Sequence, residues 1–116
     1  MTPAGWPHGL VSPDHEDFVG LAVKWLLDQG PADLRTSPLR QYPLALALYL
    51  DSFTRGAIVG ARHGYSQTRS NLDGIYQASD LETVQQALAS EGARLVALQR
   101  ELSLVIDGLQ RKNQRP

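Results

Sequence analysis

From Leu81 to Leu109, apolar side chains return every three and then every four residues: Leu81, Val84, Leu88, Leu95, Leu98, Leu102, Val105 and Leu109, with Glu91 the one polar member. A stripe at that spacing runs along one side of a helix and needs a facing helix for its whole length. The chain supplies a candidate just upstream, where Leu46, Leu50, Phe53, Ala57, Gly60 and Gly64 keep the same spacing. Asp73-Gly74 breaks the run between them, and a short loop sets two helices antiparallel and adjacent. The expected fold is therefore all-α: a long antiparallel, coiled-coil-like helical hairpin, with a shorter N-terminal helix packed across its open end near Leu44–Leu50 and Leu102–Leu109.

The boundaries follow from caps and breakers. Residues 1–12, with Pro3, Gly5, Pro7 and Gly9, read as an extended arm that Trp6 alone could anchor. Ser12-Pro13 reads as a helix start, with Asp14, Glu16 and Asp17 near the positive end of the dipole. Gly30-Pro31 reads as its stop, which gives a first helix over 13–29 with the face Phe18, Leu21, Ala22 and Trp25. A connector with a short turn at 38–41 leads to Pro43, which opens a second helix over 43–71. Ser79 and Glu82 form a candidate capping box for a third helix over 79–110, followed by a basic tail at 111–116. One helical domain spans 1–116, a length sufficient for one modest core.

The second helix contains Gly56, Gly60 and Gly64, a ladder that costs roughly 2 to 3 kcal/mol against alanine in a helix interior. Close helix approach would offset that cost. If the loop centres near Tyr76, Gly64 lies opposite Leu88, Gly60 opposite Gly92 and Gly56 opposite Val96, with Leu88 and Leu95 seated over the missing side chains.

Away from that ladder, Asp51, Arg55, Ile58, Arg62, Tyr65 and Arg69 recur at helical spacing. Guanidinium forks beside an aromatic ring suit an anionic ligand or a partner's carboxylates, so Arg55, Arg62, Tyr65 and Arg69 form the candidate binding face. The plainer account makes Asp51–Arg55 and Arg69–Asp73 ordinary i,i+4 ion pairs on a solvated surface. Glu91 would set the register of the seam or meet a basic group such as His63. The back of the third helix (Ala89, Ala93, Ala97 and Leu104, with Val96 beside them) and the apolar start of the second exceed what one hairpin seam can cover. A second copy of the chain is the expected cover, with another protein as the alternative.

No catalytic, cofactor or metal site is expected. His8, His15 and His63 lack the i, i+3 or i, i+4 spacing of helical metal ligands, there is no cysteine, and the glycines do not follow a strand. The net charge of −1 gives no general attraction to nucleic acid or anionic membrane. The apolar run Leu44–Leu50, closed by Asp51 and Arg55, is too short to cross a bilayer, and residues 1–12 do not resemble a signal peptide. The function read from these residues is a non-enzymatic, cytoplasmic interaction or regulatory module that works through a helical face as a homodimer. The alternative is a regulator that binds a small ligand or nucleic acid through the arginine face.

Overall fold

The computed structural model of the chain describes residues 2–113. Three α-helices carry it: α1 over Phe18–Gln29, α2 over Pro43–Leu72 and α3 over Ala78–Asn113. Two 3₁₀ turns, Ala32–Thr36 and Pro38–Gln41, link α1 to α2. Among the described residues there is no strand, only an isolated bridge between Asp73 and Tyr76. The fold is all-helical, with α2 and α3 paired as a helical hairpin. Its contacts fall into two compact units, Met1–Ser52 with Arg100–Pro116, and Phe53–Gln99.

Local chemistry sets the ends. Pro43 opens α2 where no amide donor is needed, and Leu46 makes the first helical bond, to the Tyr42 carbonyl at 2.9 Å. Gly74 takes φ +80, a left-handed conformation that stops α2, while the Ile75 and Tyr76 amides donate back to the Leu72 carbonyl. Ser79 lies one residue inside α3 rather than before it. The Leu81 amide bonds the Gln77 carbonyl, and the Ser79 carbonyl accepts from the Thr83 hydroxyl, so no capping box forms there. α1 begins five residues later than Ser12-Pro13 suggests. The Ser12 hydroxyl accepts from the Asp14 amide and the His15 Nδ1 from the Asp17 amide, which holds 12–17 in turns. Arg111, Lys112 and Asn113 continue α3 instead of starting a tail, and 114–116 lie outside the described residues.

The first unit is a layered core. Phe18, Ala22 and Leu26 are fully buried along one face of α1, as are Leu46, Leu50, Leu102 and Val105 on α2 and α3. The N-terminal segment is folded, not extended. Trp6 and Leu10 each close a turn on the Pro3 and Pro7 carbonyls, with Gly5 and Gly9 at φ +82 and +84 where such turns need a left-handed residue. The Trp6 indole donates to the Leu10 carbonyl at 3.0 Å and its ring sits 5.9 Å from that of Phe18. Gly108 makes room for this cluster: a Cβ there would stand 3.1 Å from both Phe18 and Pro13 and 3.4 Å from Trp6. Gly30, at the end of α1, is held still tighter, since a Cβ would come within 2.5 Å of Leu50 and 2.8 Å of Leu34.

The second unit is the hairpin over Phe53–Gln99. The stripe of α3 turns inward there, with Leu81, Leu95 and Leu98 buried and Val84 and Leu88 half-buried. Glu91 departs from it. Its carboxylate is exposed and takes a two-pronged bond from Arg94 on the same helix, at 2.6 and 2.9 Å, so it neither lines the seam nor meets His63. The hydrogen bond from Arg94 holds the Glu91 carboxyl below its ordinary pKa.

α2 faces α3 with Thr54, Ala57, Ile58, Ala61, Gly64 and Thr68. This stripe is turned by one residue from the one expected, with Thr54 in the place of Phe53 and Ala61 in the place of Gly60. Thr68 resolves its own polarity by donating to the Gly64 carbonyl at 2.8 Å, which leaves its methyl for the seam. Antiparallel register is fixed by Gly64 against Leu88, where a Cβ would lie at 3.4 Å, by Gly92 against Ala61 at 3.9 Å, and by the Gln85 amide on the Tyr65 carbonyl at 3.3 Å.

Candidate interaction surface

The rotation of α2 decides what it offers to the outside. Gly56 and Gly60 do not meet Val96 and Gly92: a Cβ at either would find nothing within 4 Å. Of the ladder, only Gly64 is in close helix approach. Phe53, which its spacing assigns to the seam, is 42% exposed, and Val59 is 65% exposed. Residues 53, 56, 59, 60 and 63 therefore make one outward strip: a shallow glycine groove flanked by an aromatic and a β-branched side chain, with His63 beside it. The signal was legible as a glycine spacing but its phase was not, since it depends on where Thr54 and Thr68 point.

The arginine face is divided. Ile58, placed on it by spacing, is buried with Ala61 and Leu95. The Arg55 guanidinium packs on α3, where the Gln99 amide, turned so that its oxygen faces Arg55, accepts at 2.9 and 3.1 Å. Arg62, Tyr65 and Arg69 remain exposed, and neither Arg62 nor Arg69 has an ion-pair partner among the described residues. They make three solvated side chains along one flank.

The expected surplus on the back of α3 is also reduced. Ala89, Ala93 and Ala97 are exposed, but Val96 packs beside the Ile58 cluster and Leu104 lies against the N-terminal turn at Gly5, 3.7 Å from a Cβ there. The α2–α3 connection adds two residues that spacing did not flag, Ile75 at 68% and Tyr76 at 52% exposure.

Among the described residues no three His, Asp or Glu side chains gather as a metal site. By length and composition alone α2 is long and apolar enough to cross a bilayer. Of its most apolar 18-residue window, 33% is buried inside the protein. Comparison with family models, curated proteins and solved structures gives no match for this chain.

Proposed function

We propose that the chain is a non-enzymatic interaction module that self-associates through the outward strip of α2, with a coiled-coil-like hairpin as its scaffold. The observation that supports this is the pair Gly56 and Gly60. They weaken α2, and among the described residues nothing within 4 Å of a Cβ at either would require a glycine. Small residues four apart let a second helix approach closely, and Phe53 and Val59 would then pack across the partner's groove. A twofold pair presents the same strip from both copies. A protein partner suits this strip better than a bilayer, because Asp51 and Arg55 on the same helix would each cost about 2.5 to 3.5 kcal/mol at a membrane centre.

Sedimentation equilibrium at micromolar concentration is expected to give twice the chain mass, and Gly60→Leu to return the monomer. The leucine points into open space within the chain, so the monomer stays folded. A wild-type monomer overturns the proposal. A second reading, anion binding by the flank Arg62, Tyr65 and Arg69, rests on the exposed, unpaired state of the two guanidinium groups.

A further inference from the structure

An open cleft of about 520 Å³ lies in the first unit, between α1 and the two 3₁₀ turns. Its floor is apolar, formed by Gly20, Val23 and Leu27 of α1, and its wall carries Lys24, Arg35 and Arg40. We propose that this cleft binds a small anionic amphiphile, with a phosphate or carboxylate head on Lys24 and Arg40 and a short hydrocarbon chain along Val23 and Leu27.

The charge is local and one-sided. None of the residues lining the cleft is acidic, although the chain as a whole carries a net charge of −1. The nearby carboxylate of Asp28 is engaged by Arg35, whose Nη2 donates to Oδ1 at 2.8 Å. Arg40 is held in place rather than free to wander, because its Nη1 donates to the Arg35 carbonyl at 2.8 Å. The turn that carries Arg40 is set in turn by Ser37, whose hydroxyl accepts from the Leu39 amide and whose carbonyl accepts from the Arg40 amide. A guanidinium has five donors, so one bond to a carbonyl leaves most of the fork available to an anion. Lys24 has no ion-pair partner among the described residues.

Size and floor choose the ligand class. The volume falls in the range of small-molecule sites, roughly 300 to 1,000 Å³. From Gly20 to Leu27 the floor runs about 10 Å along the helix axis, the reach of a short alkyl chain. Gly20 leaves one end open, since a Cβ there would meet nothing within 4 Å. A bare anion would leave Val23 and Leu27 wet, and a neutral hydrocarbon would leave the cations unused; an amphiphile satisfies both.

The test is calorimetric titration of the full chain with decyl phosphate below its micelle concentration, beside inorganic phosphate, decanol, and vesicles of phosphatidylcholine with phosphatidylglycerol. Saturable one-to-one binding of decyl phosphate is expected, with inorganic phosphate and decanol each weaker by at least about tenfold. The double variant Lys24→Gln, Arg40→Gln should weaken decyl phosphate by at least about tenfold. Gly20→Leu should abolish binding with an unchanged or higher melting temperature, because the added side chain fills the cleft without touching the fold. The proposal is overturned if decyl phosphate binds both variants as it binds the wild type, if it shows no saturable binding, or if only the vesicles bind.

Discussion

Leu50 and Leu102 keep 1% and 0% of their surface, whereas Ala61 and Leu95, further along the same two helices, keep 8% and 6%. The six largest fully buried side chains, Phe18, Leu26, Leu46, Leu50, Leu102 and Val105, all belong to the first unit. In that unit α1 and the N-terminal turns add a further layer. Phe53–Gln99 is built from two helices, and two cylinders in contact leave both edges of their seam near water. The buried set adapts accordingly, with Thr54 and Thr68 accepted at the interface and alanine and glycine setting the closest approaches. The further layer goes with the size of what is enclosed rather than with depth alone, since Thr54, Leu81 and Thr68 of the second unit keep 2%, 2% and 3% of their surface.

That contrast can be broken by paired substitutions read as thermal or denaturant unfolding. Phe18→Ala should be the most damaging, at about 3 to 5 kcal/mol, because it empties a fully enclosed site over Gly108. Leu95→Ala should cost about 2 kcal/mol, at the low end for buried leucine, since the seam beside it can relax or admit water. Equal losses for the two would erase the distinction between the units. Gly60→Ala should act in the opposite sense and raise monomer stability by about 0.5 to 1 kcal/mol, as expected for an exposed helix glycine with open space at its Cβ. A loss measured at a concentration where the chain is monomeric would mean that Gly60 lies against the chain after all. The smallest effect belongs to Arg62→Ala, below roughly 0.5 kcal/mol in stability. If the arginine flank binds nucleic acid, the same substitution should lower the salt slope of binding by about one, and Arg62→Lys should restore it. A slope unmoved by Arg62→Ala removes that flank from consideration.

The inward stripe of α3 was legible because nearly every member is a leucine or valine. The bounds of α2 and its antiparallel pairing followed from Pro43, Asp73-Gly74 and the length of the two patterns. Helix phase on α2 was not, because threonine can enter a seam by returning its hydroxyl to a carbonyl one turn back, and hydropathy does not record that choice. A one-residue error in phase moved Phe53 and Gly60 from inside to outside and Ile58 from outside to inside. Proline and glycine in residues 1–12 suggested an extended arm, yet the same residues build two turns once Trp6 has Phe18 and Gly108 to rest on. The cleft could not be read at all, since it joins Lys24 to Arg40 through two short turns whose geometry depends on Ser37 and Asp28.

The seating of Trp6, Pro13 and Phe18 on Gly108 has a consequence in time. These residues lie far upstream of their support in the sequence, so the most deeply buried core cannot close until Gly108 has been made. The pairings within Phe53–Gln99 join segments much nearer in sequence, and contacts of short separation form sooner for lack of a long loop to order. Until α3 is complete, the aromatic side chains of the N-terminal segment have nowhere to go. A chain truncated after Gln99 is thus expected to hold a helical hairpin and an unsatisfied, apolar segment upstream of it, the condition in which folding intermediates attract chaperones.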